Sequence, residues 1–421
     1  MPTVETLGQA LPSLVVEAVV DPHHPGSLRL HAWNGRRAAT TPNLEYKGVV
    51  YSPSQFADNL MQSVRFAPPS LPFGSTTKLI NSLRGFLTTY SRLQPAAVDL
   101  LVAFALASWF CDCMPVAPVL HLFGPDAEVS RTLRLLACIC RRPILLGDVD
   151  LAGLAKLPRR LGATLLINQR ELGGRIRRAL IASTWRHFSV LRGGGHLDLF
   201  GAKALSCGDV CPDQCGFDVT LSPAQDLLPL LTDAAQESTA RSMQSRLLRY
   251  RMVHYERVRG KIVDCGAFVS EMRDHARTWL APICDCSALA DSVTEEILRQ
   301  SAVVAGNRFF EPRCVVAEAA LYFCHKPGAV GFFVGELAEK ANALLAGRHE
   351  DLTLSPKQVG LVLRGLGLHG QRVAEGYKVG LTDAVRQRIH SVASDYRVLS
   401  LDDGVRRCLF CPERTNAKRI Q

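Results

Sequence analysis

No repeat of fixed period and no low-complexity tract runs through the 421 residues, which excludes a solenoid and a disordered scaffold. The opening residues lack the basic flank and small-residue cleavage site of a secretory signal. The longest uncharged apolar run, Leu100 to Cys111, is shorter than a bilayer-spanning helix requires. A cytoplasmic protein with no membrane partner is the expectation. Acids are outnumbered, 39 Asp and Glu against 49 Lys and Arg, and the formal charge of +10 favours polyanionic partners. No disulfide framework is expected either. The fourteen cysteines are scattered through apolar segments such as that of Cys138 and Cys140, the pattern of reduced and buried thiols.

What is present is enough apolar residue, 47%, for several separate cores. Residues 1–73 read as an accessory α+β region with one short strand at Gly48 to Tyr51. From 74 to 222 two leading helices, meeting near Pro95, precede an alternation of apolar strands and helical spacings. Its members are Val119 to Phe123, Arg131 to Cys140, Pro143 to Leu146, Leu151 to Leu161 and Thr164 to Ile167, with shorter strands at Phe188 to Leu191 and Phe217 to Leu221. That order implies an α/β core with a mainly parallel sheet. Residues 223–330 read as a helical lid and connector that opens with a long helix from about Ala224 to Tyr255. Residues 331–398 read as a C-terminal reader, and 399–421 as a basic, Cys-containing tail.

The segment VLHLFGPDAEVSRTLRLL has the strand, turn and helix of a phosphate-binding loop. A working loop of the form G-x-x-x-x-G-K-[ST] needs a second Gly whose amides wrap the phosphates, a Lys to neutralise them and a hydroxyl for magnesium. Here Gly124 and Pro125 open the turn, but those three positions hold Val129, Ser130 and Arg131, followed by Thr132. In ATLLINQREL, the positions where an apolar strand ends in two acids are Asn168 and Gln169, which neither hold a hard cation nor accept a proton at neutral pH. On these two motifs the chain resembles P-loop ATPases of the AAA+ and helicase class, above all the primase-helicase-like proteins of phages, plasmids and mobile elements. FGAKALSCGDVCPDQCGFDVTLSP looks like that family's polar sensor strand and the strand before its lid. Where such proteins place an arginine, near Gln214, this sequence has Cys215 and Gly216.

The resemblance implies a catalytically degenerate, helicase-like protein with no cofactor, bound to DNA and to a replication complex, a helicase-like protein or its own copies. Two alternatives are an active ATPase or helicase that uses Mg-ATP through Arg131, and a DNA-binding regulator or assembly scaffold. The C-terminal segment from Ser355 starts with an N-cap and Pro356 at the first helical position, runs to a stop at Gly367 and continues into a hairpin turning at Glu375 and Gly376. It resembles a winged helix, which implies groove contacts from Lys357, Gln358 and Arg364 and phosphate contacts from Arg372 and Lys378.

Two basic runs offer further anion contacts. Nine Lys or Arg against one acid lie between Lys156 and Arg192. Seven lie between Arg241 and Lys261, among them Arg246, Arg249 and Arg251, with Tyr250 and Tyr255 interleaved for base stacking. Cys408 and Cys411 form a single C-x-x-C. A structural zinc site needs four ligands and no second pair follows, so no metal is expected beyond that one half-site, and His390 reads as a packed or exposed residue.

Overall fold

The computed structural model describes residues 1–24, 26–158, 161–188, 190–192, 195–208, 215–223, 228–308, 311–396, 398 and 408–411. It has two compact units, Met1–Gln300 and Ser301–Gln421. Arg159, Arg160, Gln214, Ala224 and the tail apart from 408–411 lie outside the described residues, and the long helix expected from about Ala224 begins only at Asp233, after the non-helical residues 228–232.

The first 73 residues hold far more strand than the single short one expected at Gly48 to Tyr51. β1 (Thr3–Thr6), β2 (Gly8–Leu11), β3 (Leu14–Val20), β4 (Leu28–Trp33), β5 (Ala38–Thr41), β6 (Leu44–Tyr46) and β7 (Val49–Pro53) form two sheets, ordered β2-β3-β4-β5 and β1-β7-β6. Their alternation is masked in the sequence because β3 is covered on both faces: Val15 to Val19 are all buried, including Glu17. A short helix, α1 (Asp58–Ser63), follows.

α2 (Thr76–Tyr90) is capped by the Ser75 side chain, which accepts from the Lys78 amide, and α3 (Pro95–Phe110) opens with Pro at its first position. Counted through Cys113, α3 is long and apolar enough to pass for a membrane span, but its residues from Val98 to Phe110 are all covered by protein. Its one charge there, Asp99, pairs with Arg84 at 2.6 Å. A helix apolar all round is what a surrounded core position selects.

The α/β region matches the expected order closely. β8 (Val119–Phe123), α4 (Asp126–Ile139), β9 (Pro143–Leu146), α5 (Leu151–Leu154), β10 (Thr164–Ile167), α6 (Gly174–Ala182), the hairpin β11 (Val190–Arg192) and β12 (Gly195–Leu197), β13 (Lys203–Cys207) and β14 (Phe217–Thr220) follow in turn. Five of the strands form one all-parallel sheet ordered β14-β8-β13-β10-β9, with helices packed along it. Ile144, Leu165, Ile167 and Leu205 gather with Leu154 and Leu180 of α5 and α6, while α4 packs on β9 and β10. Thus the core is a parallel α/β sheet flanked by helices. Two helices differ from expectation. α4 starts at Asp126 instead of Arg131, and α5 is a single turn, because Pro158 lies where Leu151 to Leu161 would have continued.

α7 (Asp233–Arg259), α8 (Ser270–Leu280) and α9 (Ser287–Arg308) complete the helical stretch, and the boundary between the units falls inside α9. The C-terminal unit contains α10 (Pro312–His325), β15 (Gly331–Phe333), α11 (Val334–Gly347), α12 (Pro356–Gly365), β16 (Gln371–Val373), β17 (Gly376–Gly380) and α13 (Asp383–Asp395). Its antiparallel sheet is ordered β15-β17-β16 and its core gathers Val315, Leu337, Val359, Leu363, Val379 and Ile389.

Candidate functional site

The C-terminal edge of the parallel sheet collects the turn after β8, the end of β10 and the end of β13, since Phe123 lies beside Cys207 and Leu205 beside Ile167. In an open α/β sheet this edge is where ligands bind. Gly124 has φ 148°, and a Cβ there would fall 2.5 Å from the Leu221 carbonyl oxygen. Close passage of the chain leaving β14 therefore accounts for this glycine without a phosphate. Gly216 is held likewise against the Val119 carbonyl, at 2.5 Å and φ 137°.

Only Gly124 and Pro125 separate β8 from α4. The amides of Glu128 and Val129 both donate to the Pro125 carbonyl at 3.0 Å, so they are spent inside the first helical turn. That turn carries Asp126 and Glu128, which already place negative charge at the positive end of the helix. Val129 and Thr132 are buried against the core. Ser130 Oγ accepts from Asn168 Nδ2 at 2.8 Å, and Gln169 Oε1 accepts from the Val149 amide at 3.0 Å. Arg131 Nη1 donates to both carboxylate oxygens of Glu128, at 2.8 and 3.0 Å. Arg170, the residue after the two amides, donates to the Gly124 carbonyl at 2.8 Å and pairs with Asp126 at 3.1 Å. Two acids and two arginines thus face one another at this edge.

In the C-terminal unit, Ser355 and Gln358 form a reciprocal capping box on α12. Lys357, Leu361 and Arg364 lie at i, i+4 and i+7 on its exposed face, and Gln358 is exposed although its amide oxygen accepts from the Ser355 amide at 2.8 Å. Arg372 is exposed on β16. Lys378 on β17 is half-buried, its Nζ 5.4 Å from the centre of the Phe333 ring. Among the described residues none of Lys357, Arg364, Arg372 and Lys378 is in an ion pair.

The second basic run requires correction. Arg251 has no exposed surface: it pairs with Glu17 at 3.2 Å and Asp112 at 2.6 Å and donates to the Trp109 carbonyl. It has nothing to offer a nucleic acid. Tyr250 and Tyr255 are buried as well, so they cannot stack on bases. Arg249 lies 4.3 Å over the Trp33 ring and Arg246 is half-buried. Arg241, Arg257 and Arg259 pair with Glu237, Asp285 and Glu256. In the first run Lys156, Arg175 and Arg178 are exposed, whereas Arg186 is bonded to the Met114 and Cys111 carbonyls under Phe200.

Arg251 belongs to a cluster that sequence reasoning missed, in which Glu17 also meets Arg141 at 2.9 Å and Arg142. Three buried arginines meet buried Glu17 and half-buried Asp112 there. Burial pushes the Glu17 carboxyl up, but Arg141, Arg142 and Arg251 together hold it below its ordinary value. Burial also brings Arg142 down to about 10, aided by Arg141 and opposed by Glu17. The available signal was an acid inside the apolar run of β3.

Cys408 and Cys411 do not stand alone. His325, the last residue of α10, and His390, on α13, bring their ring nitrogens to them, and the four ligand atoms lie within 4.8 Å of one another.

No protein-family model and no curated protein matches this chain. Among solved structures it is similar to the apo A form of the NrS-1 C-terminal region, at 11% identity over 87% of this chain and 95% of that one, with a TM-score of 0.34. A full-length MCM homolog from Methanopyrus kandleri follows at 13% identity, covering 68% and 78%, with a TM-score of 0.33. Drosophila ORC bound to DNA aligns at 13% identity over 77% and 94%, with a TM-score of 0.20. Likenesses this distant do not carry function, which has to come from the chain's own geometry.

Proposed function

We propose that this chain is a helicase-like P-loop protein of a mobile-element replication complex that no longer handles nucleotide and binds DNA through a C-terminal winged helix. The carrying observation is the two-residue turn between β8 and α4, after which the Glu128 and Val129 amides are already bonded to the Pro125 carbonyl within the helix. A magnesium-nucleotide does not fit this donor set. The phosphates would meet Asp126 and Glu128, the arginines nearby are engaged by those same acids, and the metal would find the amides of Asn168 and Gln169. No step through ATP follows from this arrangement.

The DNA-binding half of the reading is supported by the order helix, strand, helix, helix, hairpin, helix in the C-terminal unit and by the basic exposed face of α12 beside the hairpin. Domains at 1–73, 74–222, 223–330, 331–398 and 399–421 remain part of the proposal, as does assembly with a replication protein or with further copies of the chain.

The test is a fluorescent-nucleotide titration of the full chain with and without magnesium, alongside duplex-DNA binding. Absence of saturable nucleotide binding together with salt-sensitive DNA retention is expected. Magnesium-dependent turnover abolished by Arg131→Ala would replace this reading with an active ATPase. DNA retention undisturbed by every α12 substitution would remove the winged helix from it.

A further inference from the structure

His325, His390, Cys408 and Cys411 come from the end of one helix, the middle of another and a turn in the tail, separated by 65, 18 and 3 positions. α10 and α13 pack on one another, and the two imidazoles are buried where they meet the tail. His390 Nδ1 lies 2.7 Å from the Arg386 carbonyl, a contact that needs the proton on Nδ1 and leaves Nε2 with a bare lone pair. That lone pair meets two neighbours at once, His325 Nε2 at 3.1 Å and Cys408 Sγ at 3.0 Å. Cys411 Sγ completes the group 3.3 Å from His325 Nε2. A proton on His325 Nε2 would satisfy only one of these contacts and leave the Cys408 thiol directed at the same lone pair, whereas a single cation among the four atoms satisfies all of them at once.

We infer that these four residues bind a structural zinc ion. Zn–N and Zn–S bonds of about 2.0 and 2.3 Å around a tetrahedron set neighbouring donors roughly 3.3 to 3.8 Å apart, and the separations here run from 3.0 Å to at most 4.8 Å. Two thiolates and two imidazoles in a tetrahedral, closed set select zinc over magnesium or calcium, which require oxygen ligands. Four protein ligands leave no open position, so the ion is structural and not catalytic. The Arg386 carbonyl supplies the outer contact that orients the His390 ring, and Phe410 packs 5.9 Å from that ring. The consequence is a clasp that fastens the Cys408–Cys411 turn onto α10 and α13. The site does not depend on the reading given to the α/β core.

Mass-spectrometric metal analysis of the full, untagged chain purified under reducing conditions should find about one zinc per chain. After chelation, cobalt should give the visible bands of a tetrahedral ion with thiolate charge transfer. Cys408→Ser with Cys411→Ser should reduce bound zinc to near zero. His390→Cys guards against a mere folding defect: it should keep the ion and strengthen the thiolate charge-transfer band. A chain that purifies without zinc and gives no tetrahedral cobalt spectrum overturns the assignment. So does a double Cys variant that keeps its full zinc content, since the ion would then be held elsewhere.

Discussion

Arg251 sits in a helix among six other basic residues of one run, yet its guanidinium is shared between Glu17 and Asp112 with no exposed surface. Removing one partner of a buried network strands the rest, and Glu17 would lose one of the three cations that hold it ionised. Arg251→Met should therefore lower stability by about 3–5 kcal/mol, read as a drop in the urea midpoint, with no change in DNA affinity once the folded fraction is matched. His31 and His275 predict a pH dependence. His31 bonds to Thr40 and Ser70 at 2.7 and 2.8 Å, and burial, with Arg249 adding to it, brings its pKa down to about 4. Burial does the same to His275, to about 4, with Asp274 opposing and His121 assisting. The unfolded chain takes up these protons near 6.5, so stability is full above that pH and is lost as pH falls toward 4. Urea midpoints at pH 7.5, 6 and 5 should decline in that order, and a flat series would show that both rings protonate freely in the folded chain.

At the scale of elements, the turn from β8 to α4 decides more than the residues that follow it. A variant with Val129→Gly, Ser130→Lys, Arg131→Thr, Asn168→Asp and Gln169→Glu supplies every missing side chain but not the missing loop. It should still bind no magnesium-nucleotide, and Val129→Gly alone should destabilise because Val129 is fully buried. Saturable binding by this variant would show that residue chemistry, not loop length, had closed the site. The strand-turn-helix pattern itself was legible, with β8, β9 and β10 falling where apolar runs put them. The start of α4 was not. The helical spacing placed it at Arg131, whereas the helix begins five residues earlier, directly after Pro125 at the N-cap, with Asp126 favoured at its positive end.

Over the whole molecule the 49 Lys and Arg overstate what a polyanion can reach, because many of them are engaged in internal pairs. Binding should depend on where basic groups are exposed and unpaired. Lys357→Ala with Arg364→Ala should weaken duplex binding and relax its sequence preference, as the loss of groove contacts does, whereas Arg372→Ala with Lys378→Ala should weaken it uniformly across sequences and lower the logarithmic salt slope by about one for each phosphate no longer neutralised. Arg246→Ala should change it little, since that side chain is half-buried on α7. Fluorescence anisotropy over a salt series measures all three, and unaltered duplex affinity in the Lys357 and Arg364 double variant would exclude α12 as the DNA face.

The sequence by itself determined what local chemistry controls: the alternation of strands and helices, the N-cap at Ser355, the hairpin at Glu375 and Gly376, and the two amides, Asn168 and Gln169, that end an apolar strand. Each depends on neighbours a few positions away. Only the tertiary structure decided that Arg251 is core and not surface, that Glu17 is its partner 234 positions earlier, and that a C-x-x-C in the tail meets two histidines from separate helices. Charge pairing and metal ligation act through space, and the folded chain brings together groups whose separation along the sequence carries no sign of it.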